Sequence, residues 1–103
     1  MGKRIFFDKN AARELQEFDI GVQKEFRVYI AMLASKGRLE FPEARKIDKK
    51  LFEIRVNQEG IYRGFYAYVK ENYIVLLHFF QKKTQKTPLT NIKVAKQRLN
   101  KYA

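Results

Sequence analysis

The sequence predicts one α+β domain over residues 1–103: an N-terminal strand, a helical hairpin, a three-stranded antiparallel meander and a C-terminal helix. Two observations lead there. Apolar residues recur at helical spacing as far as Lys36, then at every second position from about Leu51. The later runs are joined by turns too short for a parallel crossover, which forces antiparallel pairing. With 46% apolar and 15% aromatic residues, a chain of this length can bury one modest core.

Lys3–Phe7 (KRIFF) reads as the first strand, and Asp8 or Asn10 can cap the helix AARELQEF, with Leu15 and Phe18 near one face. After Gly21, a second helix is expected from about Val22 to Lys36. Val22, Phe26, Tyr29, Ile30 and Leu33 form its apolar stripe and Gly37 stops it. The polar segment RLEFPEARKIDKK reads as a loop. In LFEIRVN the period is two: Phe52, Ile54 and Val56 face one way, Glu53 and Arg55 the other. Asn57–Gly60 turns the chain into IYRGFYAYVK, and Glu71–Asn72 turns it into YIVLLHFFQKK. Thr87 and Pro88 are placed to cap a last helix. Its Ile92, Ala95, Leu99 and Tyr102 should pack inward, with Lys93, Lys96, Arg98 and Lys101 in water. All helices are expected on one face of the sheet, leaving the other open for function.

Composition narrows the chemistry. There is no cysteine, so disulfides and thiolate metal sites are excluded. One histidine cannot build a histidine metal cluster, and no glycine-rich phosphate loop is present. No apolar run approaches the length of a membrane span, and MGKRIFF lacks the pattern of a signal peptide, so a cytoplasmic protein is expected. Net charge is +11 and is uneven. Residues 1–71 hold 15 bases and all 11 acids, whereas residues 72–103 hold seven bases and no acid. Such a field draws RNA or an acidic protein.

The candidate site residues follow from strand parity. Arg55 stands opposite the core side of its strand. Arg63 opens the next strand and sides with Ile61, Phe65 and Val69. His78, Phe80 and Lys82 share a parity, with Lys83 and Lys86 just beyond. Neighbouring strands lie about 5 Å apart, so these cations can meet on one phosphate. Each also has a plain structural alternative. Arg55 can pair with Glu53, Arg63 can be partly buried scaffold, His78 can be a satisfied packing residue, and Lys82 and Lys83 can guard a sheet end.

The stretch LFEIRVNQEGIYRGFYAYVKENYIVLLHFFQKKTQKTPLTNIKVAKQRL resembles the RelE/ParE superfamily of toxins from bacterial toxin–antitoxin modules, in its HigB-like, phage-related branch. The LxEIR strand, the YR pair, the LLHFFxKKTxKTP exit and the A-x-x-R ending carry the likeness, in that order. The resemblance implies a metal-independent mRNA endoribonuclease with no cofactor, acting in the ribosomal 30S A site and restrained by a cognate antitoxin. It carries the family's cleft residues onto Arg55, Arg63, Lys82 and Lys83. Lys86, Lys93 and Lys96, in the acid-free end of the chain, are expected as further RNA contacts. The chain departs from the RelE pattern by placing lysine where arginine often follows the last strand. It also has no tyrosine between Thr84 and Val94, and His78 is the candidate to take over part of that role. A ParE-like gyrase poison and a non-enzymatic basic RNA- or protein-binding module remain as alternatives.

Overall fold

The computed structural model describes residues 2–40, 42, 44–83, 86 and 88–102. In chain order the elements are β1 (Arg4–Phe7), α1 (Lys9–Gln16), α2 (Ile20–Lys36), β2 (Ala44–Lys46), β3 (Phe52–Asn57), β4 (Ile61–Val69), β5 (Tyr73–Lys82) and α3 (Leu89–Leu99). They form the expected α+β domain. The sheet order is β1-β5-β4-β3-β2. β1 runs parallel to β5, and every other pair is antiparallel.

Local chemistry sets the boundaries. The Asp8 carboxylate accepts from the Asn10 and Ala11 backbone N–H groups and so caps α1. Gly37, at φ 83°, ends α2 in the left-handed conformation that costs glycine little and donates its N–H to the Leu33 carbonyl. At Gly64 a side chain would stand 2.6 Å from the Phe79 ring. Its absence lets Phe79 lie flat on β4 and meet Phe26 of α2 edge-on, centroids 5.1 Å apart.

Three expectations are corrected. The segment read as a loop contains β2, in which Ala44, Arg45 and Lys46 face Ile54, Glu53 and Phe52 of β3. An Ala-Arg-Lys strand has no apolar alternation of its own and exists because β3 offers an edge. The helices do not share a face. Leu15, Phe26, Ile30 and Leu33 of α1 and α2 pack with Ile54, Val56, Tyr66, Ile74, Leu76 and Phe79. Ala95 and Leu99 of α3 pack on the opposite side with Phe65, Ala67, Val75, Leu77 and Phe80. β4 and β5 are apolar on both sides, and both sides need cover. Finally, Arg98 does not stay wet: its side chain is 17% exposed and is engaged with Glu14. The expected Thr87 cap lies outside the described residues, and α3 begins directly after Pro88.

One irregularity organises the rest. Phe65 is paired with His78, but Tyr66 is paired with Leu76, so Leu77 is an extra residue in β5. Such a bulge shifts the side-chain phase of everything beyond it. Before it, Ile74 and Leu76 point toward α1 and α2. After it, Phe80, at the same parity, points toward α3. β1 ends opposite Leu76, so among the described residues the outer edge of β5 beyond that point has no strand partner. Side chains take its place: Arg98 donates to the Leu77 carbonyl at 2.9 Å, and Glu14 accepts from the Phe79 N–H at 3.1 Å. Arg98 and Glu14 also grip each other with two hydrogen bonds of 3.0 Å.

Burial pushes the Glu14 carboxyl upward, but His78, Arg98 and the Phe79 N–H together outweigh it and hold its pKa below the usual 4.5. A folded-state pKa below the unfolded one gives stability that is complete above the unfolded value and lost as pH falls through the lowered one. Glu14→Gln is therefore expected to destabilise the fold by about 2 kcal/mol at pH 7. That corresponds to a fall of roughly 10 °C in Tm. It should also flatten the decline in Tm between pH 5 and pH 2, relative to the unmodified chain in parallel melts.

Candidate functional site

The face that α3 only partly covers continues past the bulge toward the β3–β4 turn. Here Arg55 lies directly across from Arg63, and Arg63 across from Phe80. Lys82 lies across from Ile61, and Arg45 across from Glu53. Strand alternation puts Arg45, Glu53, Arg55, Arg63 and Lys82 on this one side. Without the extra residue in β5, Lys82 would point to the α1–α2 side instead.

Glu53 is fully buried at the centre. Its Oε1 accepts from Arg45 Nε at 2.8 Å and lies 3.7 Å from Arg63 Nε. Its Oε2 has no hydrogen-bond partner among the described residues. Arg63 is 4% exposed, and its Nη1 donates to the Tyr62 carbonyl at 2.8 Å and to Asn57 Oδ1 at 3.3 Å. Its guanidinium is thus fixed before any ligand arrives.

One carboxylate is set against four cations, and the pKa directions report the imbalance. Burial lowers the Lys82 ammonium below its usual 10.5, and Arg63, Arg45 and Arg55 lower it further against the single opposing charge of Glu53. Burial lowers Arg63 too; Arg55 and Arg45 act in the same direction, and Glu53 against it. An anion entering here relieves this repulsion while accepting charge-assisted hydrogen bonds.

The structure therefore brings together Arg55, Arg63 and Lys82 of the residues picked out by sequence. Lys83 is exposed immediately past β5, and Lys86 is exposed a little further on. Lys93 and Lys96 are exposed on α3. Lys96 pairs with Asp48 on the β2–β3 connection, away from the cluster.

His78 stands apart. Its Nδ1 lies 2.9 Å from Glu14 Oε1 and its Nε2 2.6 Å from Asn91 Oδ1. Its ring stacks on Phe80 with centroids 5.1 Å apart. Both nitrogens are engaged in the contact that joins α1, β5 and α3. Arg45 and Glu53 are the members that sequence reasoning missed. Arg45 fell in a segment read as loop. Glu53 was placed on the right side of its strand but not recognised as the carboxylate around which the arginines assemble. Among the described residues no group of His, Cys, Asp and Glu is gathered as a metal would require. No helix among them is long and apolar enough to cross a membrane.

A family model described as "Phage derived protein Gp49-like (DUF891)" matches residues 13–100. The chain belongs to this Gp49-like family. No curated protein sequence matches it. Among solved structures, a mutant of the Escherichia coli toxin RelE in the free state superposes with a TM-score of 0.71 at 14% identity, covering 100% of both chains. A RelBE2 toxin–antitoxin complex from Mycobacterium tuberculosis gives a TM-score of 0.62 at 15% identity, covering 80% of this chain and 100% of that one. The archaeal RelE–RelB complex from Pyrococcus horikoshii OT3 gives 0.56 at 20% identity, covering 81% and 98%. This Gp49-like chain has the RelE fold.

Removing the charge of Glu53 while keeping its shape leaves the buried Arg63 without its counterion. Glu53→Gln is expected to lower stability by about 3 kcal/mol, measured by urea unfolding. In the Arg63→Ala background the same change should cost well under half as much, because the two act as one unit.

Proposed function

We propose that this chain is the toxin of a bacterial type II toxin–antitoxin module. It acts in the cytoplasm as a metal-independent mRNA endoribonuclease of the HigB-like, phage-derived branch. Its substrate is messenger RNA in the ribosomal 30S A site, and an antitoxin protein neutralises it. The observation that carries the reading is that strand register brings Arg55, Arg63 and Lys82, from three neighbouring strands, to one side of the sheet, with Arg63 beside a buried carboxylate. The RelE fold and the antitoxin complexes formed by structural relatives support it.

In this mechanism the ribose 2′-oxygen attacks the adjacent phosphorus while its proton passes to a base on the protein. The bond to the 5′-oxygen breaks, and that oxygen takes up a proton. The products are a 2′,3′-cyclic phosphate and a free 5′-hydroxyl. Arg63, immobilised by Asn57 and the Tyr62 carbonyl, and Arg55 beside it stabilise the charge that builds on the phosphate oxygens. Lys82 is the proton acceptor, since burial first and then Arg63 favour its neutral amine. Lys83 steadies the leaving group, and Lys86 and Lys93 hold flanking phosphates. His78 positions the strand through Glu14 and Asn91 rather than moving protons. Lys96, held by Asp48, adds to the field without touching RNA.

Purified chain incubated with end-labelled mRNA and ribosomes should yield cyclic-phosphate ends at a rate unchanged by a chelator selective for transition metals, with magnesium retained to keep the ribosome intact. A 2′-deoxy substitution at the cut site should block cleavage. Arg63→Ala should slow cleavage by about 10²-fold or more. Arg63→Ala with Lys83→Ala should abolish growth arrest while antitoxin binding survives. Continued growth arrest in that double variant, with gyrase inhibited in vitro, would instead support a ParE-like poison. A non-toxic unmodified chain would support a binding module.

The base assignment has its own signature. A lysine base works only when neutral, so the rate should rise with pH and level off at the depressed Lys82 pKa, below 10.5. Lys82→Arg keeps the charge but cannot release a proton in this range, so the rise should vanish in a pH–rate series.

A further inference from the structure

At the opposite end of the sheet, where β3 begins and β4 ends, lies a second basic feature that the cleft does not use. A hollow of about 420 Å³ is lined by Phe52, Tyr68 and Leu99 and by Lys49, Lys50 and Lys70. A second hollow of about 280 Å³ shares Lys49, Lys50 and Leu99 and continues to Asp48 and Lys96. Through these shared residues the two hollows adjoin at Leu99, the last residue of α3, and are taken together as the groove. Lys49, Lys50 and Lys70 are exposed. Among the described lining residues the only acid, Asp48, is paired to Lys96.

We propose that this groove docks an acidic, extended peptide segment of a partner protein. A leucine- or phenylalanine-sized side chain rests on Phe52, Tyr68 and Leu99, and flanking carboxylates meet Lys49, Lys50 and Lys70. Charge complementarity and the apolar floor both point to this occupant. RNA is a poorer match, because a phosphate backbone meets the lysines but leaves the apolar floor between them uncovered. The Phe52 ring stacks on Tyr66 at 5.5 Å and lies beneath Lys46 Nζ at 6.0 Å. Tyr68 meets Phe52 edge-on at 87° and lies beneath Lys3 Nζ at 5.9 Å. A second copy of this chain is disfavoured by its own net charge of +11. The proposal stands apart from the nuclease reading, since groove and cleft occupy opposite ends of β4.

The test uses the full chain and a fluorescein-labelled ten-residue peptide of glutamate and aspartate with a central Phe-Leu pair. Fluorescence anisotropy should show saturable binding, weakened at least about tenfold when Phe and Leu become serine. Lys49→Glu with Lys50→Glu and Lys70→Glu should weaken binding by about tenfold or more, whereas the same charge change on α2 (Lys24→Glu, Arg27→Glu and Lys36→Glu) should weaken it less than about threefold. Equal losses in the two variants would reduce the effect to the overall field and overturn the proposal. So would indifference to the Phe-Leu pair, or loss of single-stranded RNA binding with peptide binding intact in the groove variant. Amide-shift mapping on the unmodified chain needs no variant to fold. Peptide-induced shifts should cluster at residues 49–52, 68–70 and 96–102, and a cluster around Arg55, Arg63 and Lys82 would overturn the assignment.

Discussion

The cation cluster depends on one extra residue in β5 and on the two side chains that hold it there. With Leu77 inserted, the even-numbered positions of the strand change sides, and Lys82 arrives on the face of Arg63 rather than under α2. A bulge left at an unpaired strand edge would leave a carbonyl and an N–H without partners and would be free to slip. Arg98 satisfies the Leu77 carbonyl and Glu14 the Phe79 N–H, and the two side chains bond to each other. They are 84 residues apart, so the clamp closes only when α1 and α3 both stand against the end of β1. His78 and Asn91 brace the same junction, as do Asp8, Tyr102 and Lys101 one turn away. The fold and the site are thus two consequences of one contact.

Glu53 is the counterpart at the working end. Burying a carboxylate is unfavourable unless cations answer it. Here Arg45 answers it directly and Arg63 from slightly further away. The same carboxylate makes it possible to hold arginines from β2, β3 and β4 close together without a ligand present. It offsets only part of their repulsion; burial first, and then the remaining repulsion, lowers the pKa values of Arg63 and Lys82. A cluster built this way keeps repulsion that an entering anion would reduce.

The sequence was legible where a period could be read. Phe52, Ile54 and Val56 alternate cleanly, and their strand, its turn and the opposed direction of Arg55 follow. The parity of Arg63 with Phe65 was also right. What misled was the assumption that an apolar-flanked side must lie beneath helices, when two apolar faces existed and α3 covers only part of the second. The bulge was invisible because Ile74 through Phe80 is apolar apart from His78, so no alternation marks where the phase changes. β2 was missed because its three residues carry no strand signal and are recruited by an edge. Arg98 looked solvated because its partner lies near the other end of the chain.

The charge map shows why counting charges along the chain points to the wrong place. Residues 72–103 contain no acid, yet three of their seven bases are answered by acids from the first half: Lys96 by Asp48, Arg98 by Glu14 and Lys101 by Asp8. Much of the apparent polycation of the tail is therefore used to fasten α3 to the rest of the domain. The excess that can act on a ligand lies elsewhere. Arg45, Arg63 and Lys82 share one buried carboxylate at one end of the sheet, with Arg55 directly across from Arg63. Lys49, Lys50 and Lys70 line an apolar hollow at the other. Three of the four clustered cations come from residues 1–71, the segment that holds every acid. Local potential is governed by how folding arranges charges in space, and in this chain strand pairing, not sequence proximity, brings the cations of the cluster together.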